Sequence, residues 1–336
     1  MNTTSSAAAR VFTITLNPAI DQTVRIPTLV PGAVHRALGQ QTEAGGKGVG
    51  VAAVLAALGV PVTASGWLGA DNDGVFTAAF AARGITDAML RLPGSTRTNI
   101  KLADAERGDS TDINLPGLTL APEALAQAEA DLLAALRAQV RPGDWCELAG
   151  SLPPGASADV WERLARALAA QGAHIAIDTG GAVLLQLLQR LADPARGSVV
   201  PVALVKPNRA ELEELAGRPL STSPTLAEVA DAASALCRSH GVQHVVVSLG
   251  GDGAVIATAA GRWQGAAARV PVATTVGAGD ALVAGTLAAL VRGQAFPGAA
   301  VWGMACAAAR IQRIAPGLPP RAEVDAIAAA ILPQPL

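Results

Sequence analysis

Short apolar runs and longer amphipathic segments alternate along most of the chain. The runs are rich in β-branched residues, and the first of them, Val11–Leu16, stops at the turn-forming pair Asn17-Pro18. The longer segments repeat small apolar residues at helical spacing. This pattern predicts strands at 11–16, 62–68, 144–149, 174–178, 202–206, 244–249 and 254–258, and helices at 49–58, 73–83, 122–140, 157–171, 182–191, 209–216, 225–240, 281–291, 298–313 and 321–331.

Two polar segments interrupt this alternation, at about 22–41 and 95–115. The first contains two β-prone pieces, Thr23–Ile26 and Ala33–Arg36, and the second predicts two strands around a turn at 107–109. Strand–helix alternation predicts an α/β fold over 11–336, with a doubly wound, mainly parallel sheet and helices on both faces. We expect the two interruptions to form a small β-sheet lid over the active edge.

Polar residues follow several of the predicted strands. They are Asp21, Gly150-Ser151, Asp178, Asn208 and Gly250. Ligands of doubly wound folds bind beyond the carboxyl ends of the strands. We therefore expect these residues to gather at one edge of the sheet.

Composition narrows the possible classes of function. The 336 residues are 51% hydrophobic and 15% charged, and the formal net charge of −2 gives no basic field that would favour nucleic acid. The sequence contains no uninterrupted apolar run of about 18 residues, so it predicts no membrane span. The cysteines at 146, 237 and 306 are too few and too scattered for a disulfide framework, so we expect a cytoplasmic protein.

The segment from Thr274 to Asp280 predicts a loop that opens a helix. Glycines at 277 and 279 would let an anion approach the free first-turn amides, and Asp280 lies where those amides converge. Such a cradle suits phosphoryl transfer to a hydroxyl whose proton the acid accepts. The alternative is an aspartate that only stabilises its own helix. The helix N-terminus would lower the pKa of Asp280 and burial would raise it, and the sequence does not rank the two.

Gly45-Gly46-Lys47-Gly48 forms a second helix entrance made of glycines and one charge. It would bind a second anion or substrate hydroxyls, and a tight turn with a solvated lysine is the alternative. Residues 48–53 also match a relaxed dinucleotide fingerprint, but they lie inside a predicted helix with no convincing strand before it.

Arg97, Asn99 and Lys101 alternate along one predicted strand and so share a face. Two cations and an amide, with Asn114 nearby, would hold a sugar phosphate. A solvated face of an edge strand is the alternative.

Two further motifs would suit the binding of a nucleotide. Lys206-Pro207-Asn208 precedes a helix whose Glu211 could hold Mg²⁺ indirectly, although a capping role would explain Asn208 and Glu211 equally well. The glycines of Ser248–Gly253 would allow a nucleotide to approach the backbone, and a plain hairpin turn is the alternative.

The ordered set of motifs resembles the ribokinase-like (PfkB) carbohydrate kinases, within them the branch of 1-phosphofructokinases and tagatose-6-phosphate kinases. It runs from about Val11 to about Ile314, and its motifs are Thr15–Asp21, Gly45–Gly48, Thr96–Lys101, Asn114–Gly117, Gly150–Gly155, Lys206–Asn208 with Glu211, Ser248–Gly253 and Thr275–Asp280. This branch usually has Asn where the present chain has Gly50.

The resemblance implies the role of each site residue. Asp280 would be the catalytic base, Gly277, Ala278 and Gly279 the anion hole, and ATP and Mg²⁺ the cofactors, with Glu211 acting on the metal. The substrate residues would be Asp21, Gly45, Gly46, Lys47, Arg97, Asn99, Lys101, Asn114 and Ser151. The residues along ATP would be Lys206, Asn208, Ser248, Gly250, Gly251, Gly253, Thr275 and Gly279.

The expected reaction is phosphorylation of a ketohexose phosphate by ATP, with fructose 1-phosphate as the first choice of acceptor. Tagatose 6-phosphate and fructose 6-phosphate are the alternatives, and the resemblance also implies a homodimer formed through the lid. A binding protein that has lost catalysis is a second hypothesis. A dinucleotide oxidoreductase, which rests only on the glycine match, is a third.

Overall fold

The computed structural model describes residues 9–221, 224–313 and 317–336, and the predicted strand–helix alternation is confirmed over most of them. The strands are β1 (Val11–Thr15), β2 (Ala19–Ile26), β3 (Gly39–Gly45), β4 (Val62–Gly69), β5 (Thr86–Leu92), β6 (Thr98–Asp104), β7 (Ser110–Asn114), β8 (Trp145–Ala149), β9 (His174–Asp178), β10 (Val202–Val205), β11 (Val242–Ser248), β12 (Ala254–Ala257), β13 (Arg262–Gly265) and β14 (Gln334–Pro335). The α-helices are α1 (Lys47–Ala57), α2 (Gly74–Arg83), α3 (Pro122–Gln139), α4 (Ala158–Ala170), α5 (Gly181–Ala192), α6 (Arg209–Ala216), α7 (Leu226–His240), α8 (Ala278–Val291), α9 (Gly298–Ile311) and α10 (Arg321–Ala330).

The main sheet has the strand order β14-β13-β12-β11-β10-β9-β8-β1-β4-β5. Neighbouring strands are parallel in the part of this order that runs from β11 to β5. At the other end, β12, β13 and β14 pair antiparallel. The prediction of a mainly parallel, doubly wound sheet is confirmed. Its parallel strands are nearly continuous apolar runs because helices cover both faces.

Two apolar cores lie on opposite faces of this sheet. One packs α1, α2, α8, α9 and α10 against side chains such as Leu204 and Val246. The other packs α3 to α7 against the alternate side chains, for example Val205 and Val245. Alternation along each strand therefore divides the apolar residues between the two layers.

A second, smaller sheet with the order β3-β2-β6-β7 forms the predicted lid. The strand predicted at Ala33–Arg36 is wrong, because these residues follow the Pro31-Gly32 turn without a pairing partner and leave Val34 97% exposed. The strand that pairs with β2 is instead β3, whose polar sequence gave no alternating signal. The lid also begins earlier than expected, so Asp21 lies within β2 and not at the exit of β1.

Besides β3 of the lid, three strands of the main sheet were absent from the sequence expectation, namely β5, β13 and β14. They lie at the two ends of the main sheet, and β13 and β14 are only four and two residues long. Short or half-exposed end strands carry little periodic signal. Among the described residues, no helix combines the length and apolarity needed to cross a bilayer.

Candidate active site

Helix α8 opens with the glycine-lined entrance that the sequence singled out. Gly277 precedes it with a φ of 78°, a left-handed conformation that glycine adopts without strain. Gly277 has no side chain that could cap the helix, so the amides of the first turn need other partners. The Thr275 carbonyl accepts a hydrogen bond from the Ala278 N–H at 3.3 Å and fixes the loop in front of them.

A cavity of about 120 Å³ lies between this helix entrance and the lid, and it is lined by Asp280, Gly277, Gly46, Asp21 and Arg310 among others. Burial raises the pKa of Asp280 to about 7, and Asp178 adds to the rise, while Lys47 and Lys206 oppose it. Desolvation is the largest of these influences. A carboxyl group that titrates near neutrality suits a general base.

Two lysines converge on one buried aspartate beneath the helix entrance. The Nζ of Lys47 lies 3.0 Å, and the Nζ of Lys206 3.7 Å, from Oδ1 of Asp178. The pKa of Lys47 is raised, because Asp178 outweighs the opposing effect of burial. Lys206 also lies beside the amides of α8, since a Cβ at Gly279 would be 3.6 Å from its Nζ. The helix entrance thus carries fixed positive charge in addition to its amides.

The lid brings Asp21 and Asn99 into the same site. Asn99 Nδ2 donates to Oδ1 of Asp21 at 3.0 Å, and burial raises the pKa of Asp21. A Cβ at Gly45 would lie 2.0 Å from Oδ2 of Asp21, so only glycine allows this approach. Lys101 lies on the same face of β6, where its Nζ is 3.5 Å from Asp112 of β7. Asn114 pairs with Asn99 in register, but it is exposed.

A larger cavity of about 710 Å³ adjoins this site and is lined by Lys47, Arg97, Ser151 and Gly180 among others. The Arg97 guanidinium donates to the carbonyls of Asn17, Pro18 and Leu115, which holds it at the cavity wall. Ser151 Oγ accepts a hydrogen bond from Asn17 Nδ2 at 3.0 Å.

Two of the predicted nucleotide residues, Asn208 and Ser248, line a third cavity of about 590 Å³. These two residues form a parallel β-bridge. Gly253 has a structural reason to be glycine, because its φ is 90° and a Cβ there would lie 2.1 Å from the Gly265 carbonyl oxygen. Gly250 and Gly251 have open space around them instead.

Asn208 and Glu211 form a reciprocal cap at α6, the alternative that the sequence left open. Asn208 Oδ1 accepts the Glu211 N–H at 2.9 Å, and Glu211 Oε2 accepts the Asn208 N–H at 2.8 Å. The other Glu211 oxygen faces Gly180, and Oδ2 of the buried Asp178 has no hydrogen-bond partner among the described residues. A Mg²⁺ ion that keeps several waters and takes one or two carboxylates would fit these donors.

Sequence reasoning assigned no role to several residues of the site. Asp178 was placed at this edge only by position, and Arg310 was not singled out although it borders the small cavity. Glu147 is fully buried on β8 below the two lysines. An acidic residue inside a doubly covered strand was the available signal, since such a group needs a compensating reason for burial.

The parallel sheet, the glycine-lined helix entrance, the two lysines and the nearby Asp280 carboxyl group would suit a small-molecule kinase that transfers a phosphoryl group to an alcohol. The chain belongs to the pfkB family of carbohydrate kinases, whose family model matches residues 11–322. It is therefore a phosphotransferase with an alcohol group as acceptor, as the sequence predicted.

Similar proteins extend the comparison to whole chains. A 1-phosphofructokinase of Xanthomonas campestris pv. campestris is 45% identical over 84% of this chain and 84% of its own length. A 1-phosphofructokinase of Rhodobacter capsulatus is 41% identical over 95% of this chain and 96% of its own. The crystal structure of phosphofructokinase-2 from Escherichia coli in complex with fructose-6-phosphate superposes with a TM-score of 0.83 at 27% identity, covering 96% of this chain and 99% of that one.

Proposed function

We propose that this kinase transfers the terminal phosphoryl group of ATP to the 6-hydroxyl of fructose 1-phosphate, giving fructose 1,6-bisphosphate and ADP. The observation that carries the proposal is the identity of 41% to a 1-phosphofructokinase over nearly the full length of both chains. The likeness to phosphofructokinase-2 keeps fructose 6-phosphate as the second candidate acceptor.

Asp280 acts as the base of this reaction. Its carboxylate accepts the proton of the acceptor hydroxyl while the oxygen forms a bond to phosphorus and the bond to the leaving ADP breaks. The amides of Gly277, Ala278 and Gly279 hold the charge that develops on the phosphoryl oxygens. Lys206, whose ammonium lies beside them, adds to this stabilisation.

The lid residues orient the acceptor. Asp21 and Asn99, which share a hydrogen bond, bind sugar hydroxyls with Gly45, Gly46 and Lys47 beside them. Arg97 and Lys101 receive the phosphate that the substrate already carries, with Asn114 and Ser151 at the margins of this region. Because the lid lies over the site, its closure would exclude water that otherwise hydrolyses ATP.

The nucleotide occupies the cavity that Asn208 and Ser248 line. The family resemblance adds Gly250, Gly251, Gly253 and Thr275 as further residues along it. Glu211 would hold Mg²⁺ through water, and the bound ion would supply charge neutralisation at the phosphates. The three cysteines are buried and free, which supports a cytoplasmic location.

A homodimer through the lid is the assembly we propose. Directly paired side chains share a face of a sheet, and Ile100 and Ile113 are such a pair on the face opposite Asn99 and Asn114. Ile113 is 44% exposed. An apolar outer face of a polar lid would be covered by the lid of a second copy.

Release of ADP, measured by a coupled assay, tests the acceptor. We expect kcat/KM for fructose 1-phosphate to exceed the values for fructose 6-phosphate, tagatose 6-phosphate and unphosphorylated fructose by at least about tenfold, since a charged phosphate contact contributes more than about 1 kcal/mol. A preference for fructose 6-phosphate would replace the proposed acceptor. Absence of sugar-dependent ADP release with all four would contradict the proposed reaction.

A further inference from the structure

Gly50 lies in the interior of α1, where glycine weakens a helix relative to any residue with a side chain except proline. A Cβ built at Gly50 would lie 2.2 Å from Oδ2 and 3.0 Å from Cγ of Asp280. The carboxyl group of Asp280 therefore fills the space that a side chain at position 50 would take.

Packing against α1 locates this carboxyl group. The Oδ2, Cγ and Cβ atoms of Asp280 are all within 3.3 Å of the position that a Cβ of residue 50 would have. The backbone of α1 continues through this point, with Gly50 N–H donating to the Gly46 carbonyl at 2.9 Å. A side chain at position 50 would thus displace the flexible carboxyl group and leave the helix in place.

Several charged groups face the same carboxyl group from the surrounding elements. They are Lys47 of α1, Asp21 of β2, Glu147 of β8, Asp178 of β9 and Lys206 after β10, and the lining of the same cavity adds Glu43 of β3, Arg83 of α2 and Arg310 of α9. Burial is the largest cause of the raised pKa of Asp280, so this pKa depends on how deeply the carboxyl group sits against α1.

We propose that Gly50 is a positioning residue for the catalytic base, because its missing side chain seats the Asp280 carboxyl group against α1. The inference rests on the proposed function, in which Asp280 accepts the proton of the acceptor alcohol.

Replacement of Gly50 by alanine tests the proposal directly. In Gly50→Ala the carboxyl group is pushed toward water, and we expect its pKa to fall by about one unit, because desolvation is the main cause of its elevation. The pKa is read by carbon-13 NMR titration of aspartate-labelled protein without ligands, with Asp280→Asn to assign the signal. Gly50→Ser gives a second, slightly larger displacement.

The pH profile of kcat/KM is the second readout. The acid limb should move to lower pH in Gly50→Ala, so that the ratio of variant to wild-type activity rises as the pH falls below about 7. Gly74→Ala is the matched control, because Gly74 also lies in a helix but has open space where its Cβ would be. It should leave both titration and profile unchanged.

The melting temperature separates positioning from damage to the fold, and it should not fall in Gly50→Ala because alanine favours the helix. A carboxyl titration in Gly50→Ala that superimposes on the wild type would overturn the inference. The proposed function fails on a different result. If Asp280→Asn keeps the wild-type kcat, Asp280 is not the base, and this holds whatever the titration of Gly50→Ala shows.

Discussion

The pKa of the Asp280 carboxyl group is set more by its surroundings than by the side chain itself. An exposed aspartate is ionised throughout the neutral range, but burial near Asp178 raises the pKa of Asp280 to about 7. Below that pH the protonated group cannot accept a proton. The same burial that makes the carboxyl group a stronger base therefore limits the range in which it works.

Replacement of the base is the first test at this scale. Asp280→Asn keeps the shape of the side chain but removes proton acceptance, and we expect kcat to fall by roughly 10²–10⁴-fold. ATP affinity, measured by calorimetry, should stay within about threefold, because the nucleotide cavity lies at Asn208 and Ser248. Retention of wild-type kcat would assign the base elsewhere.

The pH dependence of kcat/KM for the wild-type enzyme is the second test at the residue scale. The folded pKa of Asp280 lies above that of an ordinary aspartate, so the active carboxylate is lost as the pH falls through about 7. Values of kcat/KM should fall about tenfold per pH unit below that point, as expected for one essential group. An acid limb near that of an ordinary aspartate, about pH 4, would contradict a buried base.

At the scale of elements, β8 carries a carboxyl group on a face that α1 covers. Glu147 is in register with Thr13 of β1, and Gly48 of α1 approaches Thr13 and Thr15 so closely that a Cβ there would lie 2.3 Å from Thr15 Oγ1. The side-chain oxygens of these three polar residues have no hydrogen-bond partner among the described residues. Burial raises the pKa of Glu147 well above that of an ordinary glutamate.

Stability against pH tests this buried group. The protonated form of Glu147 is favoured in the folded state, so the contribution of its raised pKa to stability is complete below about pH 4.5 and is lost as the pH rises toward the folded pKa. Glu147→Gln removes this titration, and its melting temperature minus that of the wild type should increase from about pH 5 to about pH 8. The exposed Glu106→Gln serves as the control, and equal slopes for both variants would contradict the assignment.

At the scale of the whole molecule, the lid presents a polar face to the site and an apolar face away from it. Asp21, Asn99 and Lys101 share the first face, whereas Ile100 and Ile113 share the second. Because side chains alternate along a strand, one sheet can bind substrate on one face and a second subunit on the other. Substrate binding and assembly would then involve the same four strands.

Charge on the outer face of the lid tests the proposed dimer. Ile113→Glu should shift the sedimentation coefficient from dimer to monomer, because it introduces an unpaired charge into an apolar interface. Val199→Glu is the matched control, since Val199 is 49% exposed but lies outside the lid. A monomeric wild type, or an Ile113→Glu protein that remains a dimer, would contradict assembly through this face.

The sequence determined the kinds of element and their order. Apolar runs such as Val202–Val205 must be buried on both faces, and glycine at 277 marks a left-handed backbone that other residues avoid, so strand, turn and helix were readable locally. Glycine motifs at two helix entrances gave Asp280 and Lys47 for the same reason. The polar sequence of Gly39–Gly45 carries no such local signal, because this segment forms a strand only through its pairing with β2.

The tertiary structure decided what the chemistry of these groups would be. Burial is the largest cause of the raised pKa of Asp280, and Asp178 of β9, Lys47 of α1 and Asp21 of the lid also act on it. The contact of Gly50 with Asp280, the convergence of Lys47 and Lys206 on Asp178, and the isolation of Glu147 all join residues far apart in the chain. Local sequence fixes backbone preferences, whereas solvation and charge balance depend on neighbours that only folding brings together.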